Sequence, residues 1–223
     1  IIKKDNPESF EKLFKKLNIK ESELDYWLKI SKSIYLNEDK ELGVFVQQDG
    51  FFDKDLKEVD KLDNSQRPLN QNWSWDRILR SPYIKQADVL QGIYFFEDKF
   101  DIEQIKNNYE FYEKFTVHES SLSPCIHSII ACKLGKTKSA HELFKRASRL
   151  DLDDYNKEVE EGLHITSMAG SWLTVVEGFA GMRVKNNSLH FTPCLPKSWK
   201  DLAFKINFRQ NIYKIEFSKS FFQ

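Results

Sequence analysis

The stretch SPCIHSIIACKLGKTKSAHELFKRASR, residues 123–149, indicates the fold most directly. Ser123 suits the N-cap of a helix and Pro124 suits its first helical position. Apolar residues then follow at helical spacing as far as Gly135, which suits a C-terminal cap. Residues 138–149 carry the same spacing again. Two helices joined by so short a turn predict a helical hairpin.

The pattern extends in both directions from this hairpin. Helical spacing is also present at 7–17, after Lys20 and from Trp73 onward, whereas residues 37–72 lack it and are rich in Asp, Asn, Gln and Lys. A structured stretch of that length without helical period is typical of a functional loop. Residues 167–182 predict a last helix, so apolar that we expect it to be buried on most sides.

The period changes from helical to alternating at Arg183. A hairpin is predicted around Asn186-Asn187, and a second one between 204–208 and 213–217 across Arg209-Gln210-Asn211. We therefore expect two regions, a helical one over 1–182 and an antiparallel β-sheet domain over 183–223.

Composition excludes several classes of protein. Lys+Arg and Asp+Glu are both 34, so no net charge attracts nucleic acid or an anionic membrane, and neither is expected as a partner. No apolar run is long enough for a transmembrane helix. The three cysteines have no CxxC spacing, and Cys125 and Cys132 are too far apart along one helix for a disulfide. Reduced thiols predict a cytoplasmic protein.

Two segments have the composition of a sugar site. Trp75 and Asp76 lie in the run Trp-Ser-Trp-Asp-Arg at 73–77, and Lys85 and Gln86 follow soon after. Flat aromatic faces suit a sugar ring, and fixed polar groups suit its hydroxyls. The alternative is a Trp-anchored start of a helix with surface charges, which composition alone favours.

Two further segments have the composition of an anion site. Glu119, Ser120 and Ser121 precede the helix at 124, and His164 precedes the last helix. Hydroxyls and backbone N–H groups at a helix N-terminus can bind an anion, and a His there can donate to phosphate. Helix capping and a structural histidine are the alternatives. No HxH or HExxH spacing indicates a metal, and no GxGxxG, Walker or GxSxG motif is present.

Motifs in order along the chain resemble the maltose phosphorylases of glycoside hydrolase family 65. They are QRP at 66–68, WSWD at 73–76, IKQADVL at 84–90, FYE at 111–113, TVHESSLSP at 116–124, RLDLD at 149–153, GLHITSMAG at 162–170, GFAGMR at 178–183 and LPKSW at 195–199. Together these motifs are specific, although none is so by itself.

The resemblance implies the C-terminal part of a longer enzyme. The expected fold is mainly α, the latter half of an (α/α)6 barrel of helical hairpins followed by a small antiparallel β-sheet domain. The implied reaction is inverting phosphorolysis of an α-linked glucose disaccharide, with maltose and phosphate giving β-glucose 1-phosphate and glucose. Phosphate is then a substrate, no cofactor or metal is expected, and the complete enzyme is expected to be a homodimer.

The resemblance also assigns roles to residues. Ser120, Ser121 and His164 bind phosphate, whereas Lys85 and Gln86 bind the reacting glucose or the phosphate beside it. Substrate contacts are also implied, less firmly, for Trp75, Asp76 and Glu119. Glu119 could orient donors, or could act as the base for water in a family 65 hydrolase. The general acid, a Glu of the earlier half of the barrel, is expected upstream of residue 1. The alternative functions are a family 65 hydrolase of an α-linked glucose disaccharide and a catalytically inactive sugar-binding or interaction module.

Overall fold

The computed structural model describes residues 6–218, and the chain divides into two compact units, 1–36 and 37–223. The first unit contains α1 (Pro7–Lys16) and α2 (Glu21–Ser33). Asn6 caps α1 by accepting a hydrogen bond from the Ser9 N–H at 3.1 Å, and Pro7 occupies the first turn, where its missing N–H costs nothing. Within residues 6–218, no helix combines the length and the apolar character that crossing a bilayer requires.

The second unit is mainly helical. Its helices are α3 (Leu69–Asn72), α4 (Trp75–Arg80), α5 (Asp88–Phe95), α6 (Ile102–Glu113), α7 (Ser123–Lys133), α8 (Thr137–Ser148), α9 (Leu150–Asp153) and α10 (Ile165–Leu173), and α10 continues as a π-helix, Thr174–Phe179. The segment before α3 holds β1 (Glu38–Asp39), β2 (Val44–Phe45) and short 3-10 turns at Phe51–Asp53, Val59–Lys61 and Asn64–Gln66; two more lie at Glu97–Lys99 and Val159–Glu161.

Helix α7 is the centre of the core. All its residues from Ser123 to Cys132 are buried, and α8, α10 and the π-helix pack against it. Gly135 ends it with φ of 70°, and the Lys136 N–H returns to the Ala131 carbonyl at 2.8 Å, as the sequence predicts. The predicted N-cap is wrong by one residue, because Leu122 takes that position and Ser123 is the first helical residue.

The expectation that the last helix is buried on most sides is wrong for its first part, α10, whereas the π-helix that continues it is largely buried. Ile165, Met168 and Trp172 of α10 are 68%, 47% and 49% exposed. The inward face consists of small residues instead: a Cβ on Gly170 would stand 2.5 Å from the Cys125 sulfur of α7. The backbones of α7 and α10 can approach so closely only if the small residues of α10 face α7. The large residues of α10 therefore point outward.

Two antiparallel hairpins follow the helices. β3 (Arg183–Lys185) pairs with β4 (Ser188–His190), and β5 (Asp201–Phe208) pairs with β6 (Asn211–Ser218). The first turn is the predicted Asn186-Asn187, with φ of 47° and 64°. The second turn has two residues, Arg209 and Gln210, instead of three, since Asn211 already pairs with Phe208. The last five residues of the predicted β-domain, 219–223, lie outside the described part of the chain.

Candidate active site

The two predicted anion-binding segments meet. The Thr166 hydroxyl donates a hydrogen bond to the Ser121 oxygen at 2.6 Å across 45 residues of sequence. Ser121 lies just before α7 and Thr166 lies in the first turn of α10, so the N-termini of two helices converge here. Within residues 6–218, no side chain caps either helix. Their N–H groups and partial positive charges favour a negatively charged ligand.

The hydroxyls at this point are oriented by the protein. Ser120 is 6% exposed, and its oxygen accepts a hydrogen bond from the Leu122 N–H at 3.1 Å. Ser121 is half-buried and accepts from Thr166 in the same way. A hydroxyl whose oxygen accepts a bond keeps its own proton to donate. Both serines therefore remain able to donate to an anion.

Two hydrogen bonds to Asp151 fix the orientation of His164. The Asp151 carboxylate accepts from His164 Nδ1 at 2.5 Å and from the His164 N–H at 3.0 Å. The hydrogen bond from His164 lowers the pKa of Asp151, so the carboxylate is ionised. Because Nδ1 is paired with Asp151, Nε2 is the ring nitrogen that remains for a ligand. Glu158 Oε2 stands 3.8 Å from Nε2.

Glu119 is buried, at 3% exposure, and both its oxygens are occupied. Oε1 accepts from Arg67 Nε at 2.8 Å, and Oε2 accepts from the Leu69 N–H at 2.6 Å. The Arg67 guanidinium also donates to the Val117 carbonyl. Glu119 therefore joins the loop at 67–69 to the segment that carries Ser120 and Ser121. These contacts favour the orienting role over that of a base.

Backbone hydrogen bonds hold Lys85 and Gln86 beside residues 115–117, which lead to Glu119 and Ser120. The Ile84 N–H donates to the Phe115 carbonyl at 2.9 Å, and the Val117 N–H donates to the Ile84 carbonyl at 3.0 Å. This parallel bridge places Lys85 next to the chain that leads to Glu119. The side chains of Lys85 and Gln86 are exposed and thus available to a ligand.

Trp75 and Asp76 lie on a different surface. Trp75 is 72% exposed, and Asp76 accepts from Arg80 at 2.9 Å on the surface of α4. The neighbouring Trp73 is the packed aromatic residue, with the Arg77 guanidinium 3.5 Å from its ring centre. A cavity of about 470 Å³ is lined there by Trp73, Asp76, Arg77 and Tyr83, but not by Ser120, Ser121 or His164.

One polar cluster is absent from the sequence predictions. Glu113 Oε1 lies 3.3 Å from His118 Nε2, Glu113 Oε2 is hydrogen-bonded to His127 Nδ1, and His118 Nδ1 lies 3.1 Å from the Ser123 hydroxyl. The ligand atoms of the three residues lie within 4.8 Å of one another, so they could hold a metal ion. Their hydrogen bonds also satisfy one another without an ion. His118 and His127 follow Glu113 by 5 and 14 residues, a spacing that matches no metal motif, so no sequence pattern indicates this cluster.

The functional candidates that sequence reasoning missed are partners of the predicted residues. Arg67, Asp151 and Thr166 each hold a predicted site residue in place. All three lie inside the motifs quoted above, and that position was the available signal.

The cluster of Glu113, His118 and His127 predicts that the stability of the fold depends on pH. Burial lowers the pKa of His118 to about 4, so the folded protein keeps the imidazole neutral. The unfolded chain binds this proton near pH 6.5, so stability is complete above that pH and falls as the pH drops toward 4. The loss should reach about 3 kcal/mol, because one pKa unit corresponds to about 1.4 kcal/mol. Burial opposes ionisation of Glu113, but hydrogen bonds from both histidines outweigh it and lower its pKa, which adds a loss below about pH 4.5.

Urea unfolding at pH 7.5, 6, 5 and 4 measures this loss. His118→Gln should flatten the dependence between pH 7 and 4.5, whereas His190→Gln, on the exposed surface of β4, should leave it intact. If the free energy of unfolding fell equally with pH in both variants, the assignment of the pH dependence to His118 would be contradicted.

Comparison with known proteins covers nearly the whole chain. Residues 2–173 match the glycosyl hydrolase family 65 central catalytic domain, and residues 182–222 match the family 65 C-terminal domain. A solved structure of a candidate kojibiose phosphorylase from the human microbiome superposes with a TM-score of 0.85 at 40% identity, covering 96% of this chain and 30% of that one. The helical hairpins thus fit part of an (α/α)6 barrel.

Several curated relatives are disaccharide phosphorylases. Maltose phosphorylase of Bacillus subtilis is 57% identical over 89% of this chain, and α,α-trehalose phosphorylase of Thermoanaerobacter brockii is 41% identical over 98%. Kojibiose phosphorylase of Halothermothrix orenii is 36% identical over 95%. The chain spans 26–28% of the length of these relatives.

Proposed function

Since the chain belongs to glycoside hydrolase family 65, we propose that it is part of an inverting disaccharide phosphorylase that converts maltose and phosphate to β-glucose 1-phosphate and glucose. The observation that supports this most is the convergence of two uncapped helix N-termini at the Ser121–Thr166 hydrogen bond. Phosphorolysis needs an anion held by fixed donors, and this arrangement offers them. Maltose is proposed because the 57% identical relative is a maltose phosphorylase.

Phosphate binds, in this proposal, to Ser120, Ser121 and His164. The two hydroxyls donate because their oxygens already accept bonds, and His164 contacts the anion through Nε2, since its Nδ1 is paired with Asp151. A hydrogen bond between charged partners is stronger than one between neutral groups. Phosphate is a substrate here, and the proposed reaction uses no cofactor.

Lys85 and Gln86 are proposed to contact the reacting glucose or the phosphate beside it. Their exposed side chains follow the bridge from Ile84 to the segment of Ser120. Glu119 is proposed to act on substrate indirectly, by holding that segment against Arg67. Substrate contacts of Trp75 and Asp76 stay a prediction, and the surface position of both residues gives that prediction less support.

The reaction consists of one displacement. A phosphate oxygen attacks the anomeric carbon from the face opposite the leaving sugar, which inverts the configuration. The departing glycosidic oxygen must receive a proton as its bond breaks, because an alkoxide is a poor leaving group. The serine and histidine donors fix the nucleophile and spread its charge. The general acid is proposed to be a Glu outside residues 1–223.

Product analysis tests the proposed function in the phosphorylase that contains this chain. Maltose, trehalose and kojibiose should each be incubated with and without phosphate, with glucose and glucose 1-phosphate measured. We expect β-glucose 1-phosphate from maltose, and only when phosphate is present. Free glucose formed without phosphate would instead identify a hydrolase, and a preference for another sugar would change the substrate.

Residues 1–223 by themselves are expected to catalyse no measurable phosphorolysis. Of the carboxylates near the anion donors, Asp151 is bonded to His164, Glu119 to Arg67 and Glu158 to Asn70, and none of them is placed as a general acid. General acid catalysis typically contributes about 10²–10⁴-fold. The purified chain should be incubated with maltose and phosphate for hours. Turnover close to that of ordinary enzymes would contradict the expectation, and Glu119 and Glu161 would be the first residues to mutate.

The three free thiols support the proposal of a cytoplasmic location. The homodimer implied by the resemblance stays a prediction.

A further inference from the structure

Two of the three cysteines lie close together where α7 passes the segment between the two β-hairpins. Cys132 lies in the last turn of α7 and is 5% exposed, whereas Cys194 is half-buried. The Cys194 N–H donates to the Phe179 carbonyl at 2.8 Å, which fixes the Cys194 backbone against the π-helix. Cys125 is elsewhere on α7, and its thiol donates to the Leu122 carbonyl at 3.0 Å.

The two cysteines lie beside the same turn of the π-helix. A Cβ on Gly178 would stand 3.5 Å from the Cys132 sulfur, and Cys194 is bonded to the adjacent Phe179. The Thr137 hydroxyl lies 3.2 Å from the Cys194 sulfur. Both cysteines line one cavity of about 480 Å³, together with Lys133, Gly178 and Arg183. A small oxidant that enters this cavity therefore meets both sulfurs.

The electrostatics distinguish the two thiols. The hydrogen bond from Cys132 lowers the pKa of Cys194 to about 6, against the opposing effect of burial, and Thr137 adds to the shift. The pKa of Cys132 is raised, by its bond to Cys194 and by burial. Cys194 is thus largely thiolate at pH 7 and is the nucleophile, while Cys132 keeps its proton.

We propose that Cys132 and Cys194 form a peroxide-responsive dithiol, in which a hydroperoxide converts the two thiols to a disulfide that joins α7 to the segment before the β5–β6 hairpin. Neither the proposed phosphorolysis nor the site of Ser120 and His164 uses these residues.

The chemistry balances in two steps. The Cys194 thiolate attacks the nearer oxygen of hydrogen peroxide and breaks the O–O bond, giving a sulfenic acid and hydroxide, which takes up a proton to become water. The Cys132 sulfur then attacks the Cys194 sulfur. The S–O bond breaks, and the departing hydroxide leaves as water with the Cys132 proton. In sum, two thiols lose two electrons, and the peroxide is reduced to two waters.

Alkylation of the purified chain of residues 1–223 tests the thiolate assignment. With iodoacetamide at pH 7, Cys194 should be alkylated at least tenfold faster than Cys125, since an ordinary thiol is only a few per cent ionised at that pH. Equal rates at the two cysteines would overturn the assignment.

Peptide mapping after brief treatment with hydrogen peroxide tests the disulfide. The wild-type chain should lose two hydrogens in mass, give a linked pair of peptides containing Cys132 and Cys194, and return to the starting mass with dithiothreitol. Cys125→Ser is the matched control and should give the same linked pair. In Cys132→Ser, Cys194 should instead react with a dimedone probe for sulfenic acid, and in Cys194→Ser the linked pair should be absent.

The wild-type map decides the proposal even if a variant fails to fold. Treated wild-type chain with Cys194 oxidised beyond sulfenic acid, or linked to a second chain in place of Cys132, would overturn it. Both thiols staying reduced under peroxide that oxidises free cysteine would do the same.

Discussion

Replacing His164 by alanine in the phosphorylase that contains this chain is expected to weaken the use of phosphate far more than the use of disaccharide. The variant loses the imidazole that the proposal assigns to phosphate, together with its hydrogen bond to Asp151. A hydrogen bond to a charged group contributes about 1.5–3 kcal/mol, so the KM for phosphate should rise about 10- to 150-fold. The KM for maltose should change by less than about 3-fold, since the proposal gives His164 no contact with the sugar.

Two variants make this test specific. Asp151→Asn keeps an acceptor for Nδ1 but weakens the charge-assisted hydrogen bond that orients the ring, so its effect on phosphate should be intermediate. His190→Ala, on exposed β4, should leave both constants unchanged. If His164→Ala kept its phosphate dependence but lost affinity for sugar, His164 would belong to the sugar site.

Of the eight glycines, Gly181 should be the one at which alanine is most destabilising. Gly181 has φ of 61°, and a Cβ there would stand 2.1 Å from the Thr192 carbonyl oxygen. The clash is with backbone, so no rotamer change relieves it, and the left-handed conformation adds its own cost for alanine. Together these effects should lower the free energy of unfolding by about 3 kcal/mol or more.

Gly92→Ala is the matched control. Nothing lies within 4 Å of a Cβ at Gly92, which is in the interior of α5. Alanine is the better helix former by about 0.5–1 kcal/mol, so this variant should be as stable as the wild type or more so. Urea denaturation of the three proteins measures the difference. A Gly181→Ala protein as stable as wild type would mean that the Gly181–Thr192 contact is looser than described.

Local patterns predicted the secondary structure well. The Asn186-Asn187 turn was predictable because asparagine tolerates positive φ, and the end of α7 was predictable because Gly135 does so at little cost. The boundary of α7 was wrong by one residue because Ser123 bonds to His118 instead of capping the helix. Such competition between local partners is decided by tertiary contacts.

Long-range packing explains the larger errors. Ile165, Met168 and Trp172 lie at helical spacing, which fits an inward or an outward face equally well. Only the close approach of Gly170 to Cys125 shows that the small face packs inside. The sequence pattern likewise predicts one continuous helix over 167–182 and does not indicate the π-helix at Thr174–Phe179.

The candidate site was predictable residue by residue but not as an arrangement. Serines before a helix and a histidine before another are local signals. That Ser121 meets Thr166, or that Asp151 holds His164, depends on segments that are far apart in sequence. Glu119 was ambiguous in sequence because the partner that occupies it, Arg67, is 52 residues away.

The hydrogen bond between Ser121 and Thr166 also couples ligand binding to folding. Its two residues come together only when α7 and α10 are docked, so the unfolded chain offers an anion no comparable site. A ligand that binds only the native state stabilises that state by mass action, in proportion to the logarithm of its concentration. Phosphate should therefore slow amide hydrogen exchange in the first turns of α7 and α10, whether or not the chain turns over any sugar.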